Sequence, residues 1–69
     1  TIGSSSHICP GAIICGSVTI EKNCLIGAGA VVLPKLRIEE NVIVGAGCVV
    51  NKTLFKNKTY LGVPVRERV

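Results

Sequence analysis

Isoleucine or valine recurs at every sixth residue from position 2: Ile2, Ile8, Ile14, Ile20, Ile26, Val32, Ile38, Val44 and Val50. The phase does not slip across these nine positions. Four residues after each stands a small or apolar residue: Ser6, Ala12, Val18, Cys24, Ala30, Leu36, Val42, Cys48 and Leu54. A helix cannot use this period, because six residues advance about 240° and scatter the aliphatic side chains around the axis. A strand can, because side chains two apart share a face. Cys24/Ile26, Ala30/Val32, Val42/Val44 and Cys48/Val50 are such pairs. Turn-forming residues fall between them: Pro10-Gly11, Gly16-Ser17, Lys22-Asn23, Gly27 to Gly29, Pro34-Lys35, Glu40-Asn41 and Gly45 to Gly47. The pattern predicts a short β-branched strand and a turn in every six residues.

Strands joined by such short turns without reversal cannot pair with their sequence neighbours. They pair one circuit away. Three strands per circuit close a triangle, so residues 18 apart stack, and circuits lie about 4.8 Å apart. The fold expected is all-β, a parallel β-helix of about three 18-residue coils over residues 1–54. Residues 55–69 leave the six-residue phase. They read as a loop at 55–58, an extra strand at Thr59-Tyr60-Leu61 and a basic capping segment from Val63, since an open coil end exposes unpaired backbone. Stacking by 18 gives one turn column of Gly11, Gly29 and Gly47, flanked by Pro10, Ala28 and Ala46 and by outward Ile13, Val31 and Val49. The other turn columns are Ser5, Asn23, Asn41 and Ser17, Lys35, Thr53. A corner of such small residues lets a ligand lie close to backbone.

Composition narrows the classes. The chain has 69 residues, 48% of them hydrophobic, which excludes a disordered chain. No apolar run approaches the roughly 20 residues of a membrane span, so no membrane partner is expected. Thr1 to Ser4 lacks the pattern of a secretory signal. Net charge is +4, and all of the excess lies after Asn51, on Lys52, Lys56, Lys58, Arg66 and Arg68 against Glu67. That placement suits a local anionic ligand. With Phe55 and Tyr60 the only aromatics, a base-stacking platform and hence a nucleic-acid partner are not expected. Cys9, Cys15, Cys24 and Cys48 form no Cys-x-x-Cys and none are 18 apart, so free thiols and a cytoplasmic location are expected. Cys24 and Cys48 fall at inward positions and read as buried hydrophobes. No metal site is expected: His7 is the only histidine, which argues against a prism-type carbonic anhydrase.

The segments Ile26-Gly-Ala-Gly-Ala-Val-Val32, Val44-Gly-Ala-Gly-Cys-Val-Val50, His7-Ile-Cys-Pro-Gly-Ala12, Gly16-Ser-Val-Thr-Ile20 and Leu61-Gly-Val-Pro64 resemble the hexapeptide-repeat, left-handed β-helix acyltransferases. They are most similar to the bacterial acetyltransferases of sialic acids and nucleotide-linked amino sugars. The resemblance implies the left-handed sense, a homotrimer of parallel prisms and acetyl-CoA as cosubstrate, bound between subunits. It implies transfer of acetyl to a hydroxyl or amino group of a sugar or nucleotide sugar. The residues it marks for acetyl-CoA are His7, Gly16, Ala28, Ala46, Gly62 and Arg66. The Gly16 amide would face the thioester oxygen as an oxyanion donor. In such enzymes the general-base histidine lies on the coil before the His7 motif, upstream of Thr1, so the chain reads as the C-terminal part of its parent with coils missing ahead of it. His7 itself is a candidate base, since an imidazole titrates near neutrality. Two other readings stand beside this one: a structural, trimer-forming prism without chemistry of its own, and the prism of a sugar-nucleotide transferase.

Overall fold

The computed structural model describes residues 2–68; Thr1 and Val69, the outer ends of the expected coil region and tail, lie outside the described residues. Ten short strands follow one another: β1 (His7–Ile8), β2 (Ile13–Ile14), β3 (Thr19–Ile20), β4 (Leu25–Ile26), β5 (Val31–Val32), β6 (Arg37–Ile38), β7 (Ile43–Val44), β8 (Val49–Val50), β9 (Thr59–Leu61) and β10 (Arg66–Glu67). No strand pairs in parallel with its neighbour in sequence. β1, β4, β7 and β9 stack as one face, β2, β5 and β8 as the second, β3 and β6 as the third. Bridges from Ile2 to Ile20 and from Ile38 to Leu54 extend the third face at both ends. The register is 18 residues: His7 stands opposite Leu25 and Leu25 opposite Ile43, with the same offset on the other faces. The molecule is a left-handed parallel β-helix, as the period of six and the resemblance lead one to expect.

The stacking is built from backbone ladders. Strand N–H groups point along the axis to the next circuit, as in His7 to Cys24 O (2.8 Å), Leu25 to Val42 O (3.0 Å) and Val31 to Cys48 O (2.8 Å). Corner N–H groups point the opposite way, as in Asn41 to Lys22 O (3.1 Å) and Gly47 to Ala28 O (2.9 Å). Inside, the repeat residues form one apolar column. Ile26, Val32, Ile38, Val50 and Leu54 are fully enclosed, with Cys24, Cys48 and Tyr60 beside them. Among the described residues no polar or charged side chain is buried. Ser6 and Cys24, at equivalent inward corners, each donate to a carbonyl 15 residues on: Ser6 Oγ to Glu21 O (2.6 Å), Cys24 Sγ to Glu39 O (3.0 Å).

The corners require a left-handed backbone, and it is carried by Ser5, Ser17, Asn23, Lys35, Asn41 and Asn57, as well as by Gly11, Gly29 and Gly47. Asn tolerates this conformation best among non-glycine residues. The Asn41 amide also donates to Asn57 Oδ1 at 2.9 Å, joining two corners of one column.

One expectation fails in detail. Leu54 does not stand under Leu36. It pairs with Ile38, 16 residues back, and Ile43 pairs with Thr59 at the same offset. The phase therefore breaks at the corner after Val50, ahead of Leu54, where Asn51-Lys52-Thr53 does the work of a five-residue connection such as Leu33 to Arg37. Thr53 accordingly has no left-handed backbone and does not continue the Ser17, Lys35 column. The shortened corner sets Leu54 in the aliphatic column beside Ile38, where it is fully buried. Asn57, in the stretch read as a loop, becomes the next member of the Asn column. The expected extra strand is β9. The capping segment returns as β10, antiparallel to β9, and buries Val65 over the end of the core.

Candidate functional site

The corner between the first and second faces differs from the other two. Gly11, Gly29 and Gly47 stack there with left-handed backbone, φ between +72° and +80°. Geometry alone does not demand glycine, because Lys35 and Ser17 adopt the same conformation with side chains. What sets this corner apart is a stack of positions without side chains. A Cβ placed on Gly29 or Gly47 would meet no atom within 4 Å. Beside them Ala28 and Ala46 are exposed. The result is a shallow track along the axis with backbone as its floor. The 16-residue offset of the last circuit carries Gly62 under Ala46, and the chain there turns inward, with Gly62 O accepting from Val49 N–H at 3.4 Å. Arg66, opposite Leu61 on β10, lies beside Gly62: its Nε is 3.9 Å from where a Gly62 Cβ would sit.

Ala28, Ala46, Gly62 and Arg66 are thus assembled on one corner. His7 and Gly16 are not part of it. His7 begins the first face on β1, exposed, its N–H bound to Cys24 O. Gly16 lies at the corner between the second and third faces, exposed, and its carbonyl accepts from Lys35 N–H at 3.1 Å. A Cβ on Gly16 would meet nothing within 4 Å, so that side of the backbone is open. Within one protomer the candidate oxyanion donor and the track face different directions. The described residues enclose no pocket and contain no cluster of three metal-ligating side chains.

The cations of the last circuit are unequal. Lys58 is bound to Glu67 (Nζ to Oε1, 3.1 Å), and that hydrogen bond, with the carboxylate's charge, raises its pKa. Arg37 is bound to Glu21 on the third face. Lys52, Lys56 and Arg68 are exposed, with their side chains in no ion pair among the described residues. All four cysteines are free, Cys24 and Cys48 buried, Cys9 and Cys15 half-buried.

The repeat itself is matched by the model of the bacterial transferase hexapeptide (six repeats), over residues 1–34 and 17–52. The chain belongs to the hexapeptide-repeat bacterial transferases. A comparison with curated proteins gives no match. Among solved structures, this hexapeptide-repeat chain is similar to PerB from Caulobacter crescentus, solved with CoA and GDP-perosamine: 32% identity, a TM-score of 0.97, and coverage of 99% of this chain and 33% of that one. It is similar to the acetyltransferase domain of PglB from Neisseria gonorrhoeae, also solved with acetyl coenzyme A: 30% identity, a TM-score of 0.90, covering 91% of this chain and 31% of that one. A maltose O-acetyltransferase from Clostridium difficile aligns at 39% identity and a TM-score of 0.72, over 74% of this chain and 27% of that one. The chain spans about a third of the length of these relatives.

Sequence reasoning missed the shortened corner and with it the placement of Gly62 under Ala46. The signal was present: Leu54 and Tyr60 keep the six-residue spacing with each other, two residues out of phase with Val50.

Proposed function

We propose that this chain is the β-helix part of an acetyl-CoA-dependent acetyltransferase that acetylates a hydroxyl or amino group of a sugar or nucleotide sugar. The observation that carries the reading is the Gly/Ala corner, where Gly29 and Gly47 leave room that turn geometry does not require. Its support is the likeness to PerB and PglB, which were solved with CoA or acetyl coenzyme A. The pantetheine arm would lie along the track past Ala28 and Ala46, and Gly62 and Arg66 would meet the phosphate end. Acyl transfer then needs a donor for the developing oxyanion and a base for the acceptor proton. The exposed Gly16 amide suits the first role, and His7 contacts the coenzyme or takes the proton. Because Gly16 and the track point apart within one protomer, the site is assembled between subunits. We accordingly propose a parallel homotrimer, in which one protomer supplies Gly16 and its neighbour the track. Four cysteines outside any disulfide fit a reducing cytoplasm.

The test is thermal denaturation with acetyl-CoA. Ligand at a hundredfold excess over its dissociation constant should add about 2.7 kcal/mol. Ala46→Trp, at an exposed corner, should keep the melting temperature of the free protein and lose the shift. Absence of any shift with millimolar acetyl-CoA favours a structural prism instead.

A further inference from the structure

Charge is distributed along the prism axis in one direction. From Ile2 to Thr19 the chain carries no Asp, Glu, Lys or Arg, and from Ile20 to Asn51 three cations balance three carboxylates. The last circuit holds Lys52, Lys56, Lys58, Arg66 and Arg68 against Glu67 alone. The fold gathers these cations in the last circuit, with the Glu39 carboxylate of the circuit above reaching its edge, where Glu39 Oε1 accepts from Lys56 N–H at 3.0 Å. Lys52 stands at the corner between the second and third faces, Lys56 at the corner between the third and first, and Arg68 beyond β10, its N–H on Thr59 O at 2.7 Å. All three are exposed, and they surround the C-terminal end of a body only about 22 Å across. Two large apolar side chains of the same circuit face water: Phe55 is 58% exposed and Val63 67%. Neither packs into the core.

We propose that this end of the prism docks on an anionic lipid bilayer. Exposed cations together with exposed aromatic and aliphatic side chains are the pattern of surface binding, in which charge attracts to acidic headgroups and the apolar groups enter the interface. The other polyanion, nucleic acid, calls for stacking surfaces, and the second aromatic, Tyr60, is buried with its hydroxyl accepting from Phe55 N–H at 2.9 Å. No helix of the described residues is long and apolar enough to cross a membrane, and the contact proposed is a peripheral one. The expectation of no membrane partner rested on the absence of a spanning run. The surface contact proposed here revises it. The inference rests on the parallel trimer proposed above, because cyclic symmetry places three such ends in one plane and multiplies a weak attraction of roughly fivefold per cation.

The experiment is co-sedimentation of the full chain with vesicles of phosphatidylcholine containing 30% phosphatidylserine, against vesicles of phosphatidylcholine alone, in 0.1 M and 0.5 M salt. The expected result is binding to the anionic vesicles only, lost at the higher salt. Lys52→Gln/Lys56→Gln/Arg68→Gln should weaken it more than 25-fold, and Phe55→Ser/Val63→Ser should weaken it with the salt dependence retained. Both sets are exposed, and unchanged melting temperatures establish that the variants fold. Sedimentation without lipid reports the trimer separately. A trimer that ignores anionic vesicles overturns the docking, whereas a monomer that ignores them faults the assembly on which it rests. Equal binding to both vesicle types, or tighter binding to a duplex oligonucleotide than to the anionic vesicles, also overturns it.

Discussion

At the scale of single residues, the corners show how one backbone conformation is solved with different side chains. The left-handed region costs an ordinary L-residue about 1–2 kcal/mol, and Asn less, because its short amide bonds locally. Asn41 gains twice, since its amide also reaches Asn57. Lys35 holds the same conformation, at φ 64°, with no such compensation. Two opposite outcomes are expected in urea denaturation. Asn41→Ala loses about 1–2 kcal/mol, from strain and a lost hydrogen bond. Lys35→Asn gains up to about 1 kcal/mol, because the strain falls and nothing is removed from the core. If Lys35→Asn destabilised the protein, backbone strain would not be what ranks the corners. The same logic separates the site from the scaffold. Glycine at positions 29 and 47 is more than the turn asks for, and that surplus is what marks the track.

At the scale of elements, each strand from β1 to β8 contributes two residues, and alternation decides everything about them. On β3, Thr19 is exposed and Ile20 is 1% exposed, so neighbours in sequence sit in opposite solvents. Ile20→Ala should cost about 2–5 kcal/mol and Thr19→Ala less than about 0.5 kcal/mol, measured by chemical denaturation. Comparable losses at both positions would contradict the assigned faces. This is also why so much of the fold was legible in the sequence. A prism repeats one decision nine times, and a phase that survives Ile2 to Val50 leaves no room for a helix or a hairpin. The last circuit was less legible for a reason of the same kind. A shortened corner keeps the strand pattern and changes only its phase, so Leu54 read as a member of the wrong column. The candidate site was half legible. Ala28 and Ala46 follow from stacking by 18, but Gly62 joins them through an offset of 16. The separation of Gly16 from them follows from which corner each occupies.

At the scale of the molecule, the three faces are chemically unlike. The third presents Thr19, Arg37, Glu21 and Glu39, with Arg37 bound to Glu21, and is suited to water. The first presents Leu25 and Ile43, and the second Ile13 and Leu33, all more than a third exposed. Two apolar faces meeting at the Gly/Ala corner are more than a soluble monomer of 69 residues usually leaves uncovered. Copies of the same prism are the economical cover, since a threefold axis lets one face of each protomer meet another face of its neighbour, heterologously and with closure. In the trimer proposed above, the corner track would lie in the seam between subunits, within reach of a neighbour's Gly16. Ile13→Asp and Ile43→Asp alter exposed positions on these two faces and leave the core column intact. Sedimentation equilibrium should report trimers for the parent chain and monomers for the double variant, whose circular dichroism keeps the β-helix signature. Stabilisation by acetyl-CoA should vanish together with the trimer. A double variant that remained trimeric would place the interface elsewhere. A monomer that still gained stability from acetyl-CoA would show the track sufficient within one protomer, and Gly16 would lose its role.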